Sequence, residues 1–129
     1  MTIGKVRAFA LARASLTNVR TAWDGVRDDG TVVFMGWQDD FQKTGNVYEC
    51  RIWKANSPAA DRIGARERWR NICRLVETGD TGLLLVAIAA NQAAETREVT
   101  DVLDAIYTVR VEQRDGDYFA VVLRRDHLA

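Results

Sequence analysis

The sequence predicts an α+β fold, a mostly antiparallel sheet curled into a small, partly closed β-barrel with one long crossover helix at about 57–77. Three observations lead there. Short apolar or alternating runs recur between turn signals such as Asp28-Asp29-Gly30, Thr44-Gly45-Asn46 and Asp115-Gly116, the pattern of successive strands. After Asn56-Ser57-Pro58 the apolar spacing changes to that of a helix. Pro58 is the only proline, and with no linker or repeat residues 1–129 read as one domain.

Lys5 to Ala12, apolar with interleaved Lys and Arg, reads as the first strand and leads into a polar turn around Ser15 to Asn18. Val19 to Arg27 and Thr31 to Trp37 flank Asp28-Asp29-Gly30, where glycine readily takes a positive φ. Val47 to Lys54 alternates, with Tyr48, Cys50 and Ile52 on one face and Glu49, Arg51 and Trp53 on the other. These three runs are expected to form a meander. Asn56-Ser57-Pro58 offers a side-chain cap and a first-turn proline, whose missing N–H costs nothing there. Ala65, Trp69, Ile72, Cys73 and Val76 follow at helical spacing as the expected buried stripe, and Thr78-Gly79 ends the helix.

Leu83 to Ala90 is continuously apolar, as in a central strand covered on both faces, and Asn91 to Thr96 is a polar loop. Two readings stay open from Val99 to Ile106. Val99, Val102, Leu103 and Ile106 fit a helix, whereas alternation of Tyr107, Val109 and Val111 marks a strand from about 105. Asp115-Gly116 turns the chain into a last strand, Tyr118 to Arg124.

A composition 47% hydrophobic and 28% charged belongs to globular proteins and not to disordered ones. Lys plus Arg and Asp plus Glu number 18 each, so the formal net charge is zero. That argues against general attraction to polyanions through the field of the whole molecule, and any nucleic-acid role must use a local patch or pocket. The charge is uneven, since Lys5, Arg7, Arg13 and Arg20 precede the first acidic residue. Cys50 and Cys73 lie too far apart for a zinc pattern and are expected to be small buried apolar residues. No apolar run reaches membrane-spanning length, which makes cytoplasmic the expected location.

His127, the only histidine, lies two residues from the chain end, which removes Ser-His-Asp and Cys-His schemes, an HNH nuclease core and histidine zinc sites. No phosphate-cradling glycine motif is present, and no cofactor is implied. The acidic candidates are Asp39, Asp40 and Glu49, which could converge across a hairpin beside Arg51 to hold a metal as in restriction-type nucleases. Arginine there cannot replace lysine's point charge.

Aromatic residues are the richer signal. Trp23 and Trp37 lie on neighbouring strands of one expected hairpin and could wall a base-reading pocket, with Asn18 and Asp39 as polar readers. Core burial is the ordinary alternative for these and for Trp53 and Trp69. Arg62, Arg66, Arg70 and Arg74 recur at four-residue steps and form a helix ridge suited to phosphates. Asp61, Glu67 and Glu77 on the same helix leave open a solvated, ion-paired face instead.

Thr17-Asn18-Val19-Arg20, Trp23-Asp24-Gly25-Val26 and the run Val33-Phe34-Met35-Gly36-Trp37-Gln38-Asp39-Asp40 form a series of short motifs. It continues through Arg66-Glu67-Arg68, Gly79-Asp80-Thr81-Gly82-Leu83 and Asp115-Gly116-Asp117-Tyr118. This series resembles N-terminal segments found alone or ahead of HNH nuclease domains in bacterial restriction-like and mobile-element proteins. The order of strands, crossover helix, Gly-Asp turn and buried strand is also similar to PUA-like domains. The resemblance implies a base- or nucleic-acid-sensing module partnered with a nuclease; with no HNH portion here, it does not carry cleavage over. Three functions follow as expectations: a non-enzymatic module for DNA or RNA, with a modified base as one candidate ligand; a protein-binding or self-associating accessory protein; and a metal-dependent nuclease.

Overall fold

The computed structural model describes residues 2–18, 22–57, 62–89 and 99–129. The first half contains strands β1 (Thr2–Ile3), β2 (Ala14–Ser15), β3 (Asp24–Arg27), β4 (Val32–Trp37), β5 (Phe41–Thr44) and β6 (Val47–Trp53). The second half adds β7 (Gly82–Ala89), β8 (Val99–Leu103), β9 (Ile106–Arg114) and β10 (Asp117–Asp126). Among the described residues the α-helices are α1 (Lys5–Leu11) and α2 (Ile63–Thr78). The class is α+β, as expected.

One sheet runs in the order β2-β3-β4-β7-β9-β10-β6-β5, with β8 paired to β7 and β1 to β8. Its parallel pair is β4 with β7, in register from Val33 opposite Leu83 to Trp37 opposite Ala87. A parallel pair cannot be joined by a hairpin, and the connection between these two strands contains α2, the expected crossover helix. The expected meander does not form: β4 pairs with β3 and β7, while β6 pairs with β10 and β5. Sequence character explains the choice. Val32–Trp37 and Gly82–Ala89 are both continuously apolar, so each needs cover on two faces and they meet at the sheet centre.

The sheet is not closed into a barrel, because its end strands β2 and β5 do not pair with each other. It does curl. Cys50 of β6 rests against Gly36 of β4, where an added Cβ would lie 2.5 Å from the Cys50 Sγ. Alternate residues of the central strands feed two cores. Val32, Phe34, Leu84 and Val86 join Cys50, Ile52, Val109 and Ala120 against Ile72 and Leu75 of α2. Val33, Met35, Leu85 and Ala87 pack on the opposite side against Ala8, Phe9 and Ala12, at α1.

Lys5–Leu11 is therefore a helix and not the expected strand. Its alanines favour a helix, and Ala8, Phe9 and Ala12 fall on one helical face that covers the second core. The 99–106 segment resolves as strands β8 and β9. The last hairpin turns through Asp115 and Gly116, at φ 52° and 85°, the paired positive values of a tight two-residue turn.

The long helix starts later than expected. Its first residue is Ile63, preceded by Arg62 in an extended conformation with no side-chain cap. Asn56 takes a left-handed φ of 57° and the Ala55 N–H donates to Asp117 Oδ1 at 2.8 Å, so the chain after β6 is spent on a turn. Pro58 and Asp61, the Asn91 to Thr96 loop, and Val19 and Arg20 lie outside the described residues. The C-terminus of α2 is as expected: Gly79 is left-handed and its N–H reaches Leu75 O at 2.8 Å.

The buried stripe of α2 is Ala65, Arg68, Ile72 and Leu75, whereas Trp69, Cys73 and Val76 face solvent. Arg68 is 5% exposed and faces Asp24, which is 0% exposed. Its Nη2 lies 2.7 Å from Asp24 Oδ1, and its Nε lies 3.2 and 3.3 Å from the two carboxylate oxygens. The same guanidinium donates to Met35 O at 2.6 Å and Ile52 O at 3.2 Å. Asp24 Oδ1 also accepts the Met35 N–H at 3.3 Å. One side chain thus ties α2 to β3, β4 and β6.

Breaking a buried pair strands a charge, so Asp24→Ala and Arg68→Met should each lower stability by about 3–5 kcal/mol. The double variant should lose far less than the sum. Urea denaturation of all four proteins measures this coupling, and additive losses would show that the pair does not act as a unit.

Candidate aromatic and arginine-lined site

The residues expected to form a pocket are dispersed. The Trp23 ring covers the Arg68 guanidinium, 5.2 Å from its centroid, on the α2 side of the sheet. Trp37 packs on the opposite core, with Val33, Met35 and the α1 residues. The two tryptophans therefore do not wall one cleft. Asn18 is exposed in the loop before β3, where its carbonyl accepts the Ala22 N–H at 2.9 Å. Asp39 is exposed in a 3₁₀ turn, Gln38–Asp40, and Arg62 is exposed at the start of α2. Of the expected site residues, the structure brings together Arg66 and Arg70.

They meet at an aromatic cluster the sequence did not single out as a site. Trp53 at the end of β6 pairs in register with Tyr118 of β10. Trp69 of α2 lies over this pair: its ring centroid is 5.0 Å from Trp53, tilted by 38°, and 5.4 Å from Tyr118, edge-on at 78°. Trp69 remains 39% exposed. Trp53, Arg66, Trp69 and Arg70 line an open depression of about 370 Å³. The helix supplies this arrangement directly, since Arg66 precedes Trp69 by three residues and Arg70 by four.

Most other arginines are already engaged. Arg51 faces Asp40 and Asp117 at 3.6 Å each, Arg110 binds Glu112, Arg114 binds Glu49 and Arg124 binds Asp126. Arg74 donates to Gly30 O and Arg27 to Ala12 O. Arg66 and Arg70 are exposed with no side-chain ion pair or hydrogen bond among the described residues. In the N-terminal basic run, Lys5 donates to Ala22 O at 3.0 Å and burial pushes its pKa down. Arg7 and Arg13 are exposed elsewhere, on and just after α1.

The acidic candidates do not converge. Glu49 is 2% exposed and its carboxylate is held by Arg114 at 2.8 Å, with Gln42 at 3.5 Å. Asp40 faces Arg51, and Asp39 points from an exposed turn. Among the described residues no three acidic, histidine or cysteine side chains are arranged to hold a metal ion. At the sheet edge, β5 is unpaired on its outer side, and Val47 and Tyr48 beside it are exposed. No helix among the described residues is long and apolar enough to cross a membrane. No family model, curated protein or solved structure matches this chain.

The exposed cluster had a signal in the sequence. Ala65, Arg68, Ile72 and Leu75 follow a regular three-four-three spacing, and taking Arg68 as buried turns Trp69 outward.

Cys73 faces solvent and is not the buried residue the sequence suggested; Cys50 is 0% exposed. Burial, with Asp40 and Asp39 adding to it, pushes the Cys50 thiol up to about 12. At pH 8 an aromatic disulfide reagent should therefore modify one thiol, Cys73, with Cys50 reacting only on unfolding. Two thiols titrating at the same rate in native protein would contradict this placement.

Proposed function

We propose that this protein is a non-enzymatic nucleic-acid recognition module, and that its ligand contacts the Trp53–Trp69–Tyr118 cluster between Arg66 and Arg70. One observation carries the reading: an indole ring braced by two aromatic neighbours is left partly open to water beside two uncompensated guanidinium groups. A nucleobase offers a π face for that ring, and its phosphates offer charge for the arginines. Stacking of a base on an aromatic side chain contributes about 1–3 kcal/mol, enough to matter in a molecule with no net charge to draw polyanions. The resemblance read from the sequence, to PUA-like domains and to nuclease-associated segments, implies the same class of ligand. The aromatic reader is then Trp69 with Trp53 in place of Trp23 with Trp37.

Fluorescence anisotropy with a labelled oligonucleotide at low salt tests the proposal. Wild-type protein should bind. Trp69→Ala should weaken binding by roughly tenfold, and Arg66→Gln with Arg70→Gln should weaken it further and reduce its salt dependence. Absence of binding at low salt would refute the reading. Self-association through the β5 edge is the competing function. It would appear as concentration-dependent sedimentation that Trp69→Ala leaves unchanged.

A further inference from the structure

Resting on that reading, we infer that the site takes single-stranded nucleic acid, held by one base face and two successive phosphates, with little preference for sequence. The reasons lie in what the depression offers and what it lacks.

Stacking on Trp69 requires a base whose face is free. A duplex shows its base edges in the grooves and keeps the faces covered by their neighbours. The depression is open and formed by side chains on the helix surface and a strand end, so a strand can lie along it with one base turned down onto the indole. Trp53 and Tyr118 brace Trp69 from the protein side and restrict how far the indole can swing.

Charge spacing agrees with one strand. Arg66 and Arg70 stand four residues apart, about 6 Å along the helix axis, a step suited to consecutive phosphates of an extended strand. Arg62, one further step back, is exposed but engaged with other groups, and Arg74 is tied to Gly30 O, so the ridge has two available members. Duplex binding would call for cations spread across a groove, but Arg110, Arg114 and Arg124 are each paired with a carboxylate.

Sequence tolerance follows from the lining. Distinguishing all four bases along their edges takes both donors and acceptors, and the arginine donors of this site are committed to phosphates. Trp53, Arg66, Trp69 and Arg70 provide N–H donors and π faces, and the side-chain oxygen of the cluster is the single Tyr118 hydroxyl behind them. Every base has a π face, so stacking alone does not choose among them.

Anisotropy measurements on the intact chain should compare oligo(dT), oligo(dA), a mixed single strand and a hairpin duplex of that same mixed sequence, across a salt series. Single strands should bind roughly tenfold tighter than the duplex, with oligo(dT) and oligo(dA) differing by less than that. The slope of log affinity against log salt should be about −1.4, the value for two phosphates on a single strand. Arg66→Gln or Arg70→Gln alone should bring it to about −0.7. Trp69→Ala should erase the preference for single strands and Trp69→Phe should retain it, with circular dichroism confirming that both variants fold. Equal binding of duplex and single strand, unaffected by Trp69→Ala, would overturn this inference but leave a nucleic-acid role through the arginines. A tenfold or larger difference between oligo(dT) and oligo(dA) would overturn the sequence tolerance. Failure of every oligonucleotide to bind would remove both the inference and the function on which it rests.

Discussion

The Arg68–Asp24 pair decides how the rest of the molecule is arranged. The guanidinium has five N–H groups in a rigid fork, and in this interior it meets a carboxylate, the Trp23 carbonyl and two strand carbonyls. The strand carbonyls belong to Met35 on β4 and Ile52 on β6, strands that do not share a ladder. Arg68 thus supplies polar contacts where the curled sheet has no strand-to-strand hydrogen bonds. Burying a charge is unfavourable unless it is paired and its donors are satisfied, so the helix tolerates one rotational setting about its axis. That setting turns Ala65, Ile72 and Leu75 inward. It also leaves Trp69, Arg66 and Arg70 outward, so the exposed aromatic surface is a consequence of where the charge is buried.

The second constraint is the curl itself. β4 and β7 place alternate side chains into two cores, one under α2 and one under α1, and neither helix alone would cover both faces. Bringing β6 across to the same core requires a close approach at Gly36, where a side chain would collide with Cys50. The curl stops short of closure because β5 extends the sheet past β6 instead of returning to β2. That extension leaves an outer edge at β5, with Lys43 of this strand lying 5.7 Å from the centroid of the exposed Tyr48 ring. A lysine on a short edge strand discourages pairing with another sheet.

Features that depend on local chemistry were legible in the sequence. The Asp28-Asp29-Gly30 and Asp115-Gly116 turns, the glycine stop at 79 and the buried strand from 83 announce themselves because glycine and continuous apolar runs have few other uses. Strand partners were not legible, since pairing β4 with β7 and not β6 is settled by which faces find cover across the whole sheet. Lys5–Leu11 was misread because its apolar residues satisfy an alternating pattern as readily as a helical one, and the α1-side core chooses between them. At the candidate site, the arginine ridge is visible in the sequence, but Trp23 and Trp37, the tryptophans expected beside it, lie on opposite sides of the sheet. A charged residue in the buried stripe is rare, so helical spacing points to Trp69 as core where Arg68 is the buried residue, a rotation of one residue step around the helix.

The same rotation accounts for how a chain with equal numbers of acids and bases can still present positive charge. Part of the charge cancels in pairs: Arg51, Arg68, Arg110, Arg114 and Arg124 each face a carboxylate. Asp24, the acid that balances Arg68, is removed from the surface together with it, so neither contributes a field outside. Arg66 and Arg70 remain exposed beside the aromatic cluster. A field of this kind falls off within a screening length of about 10 Å at moderate salt and does little to steer a distant ligand. On the proposed reading, affinity comes from contact, with the indole supplying the attraction that long-range charge does not. Stacking and ion pairing are consequently coupled in one small area, and neither half of the site is expected to hold a ligand well alone.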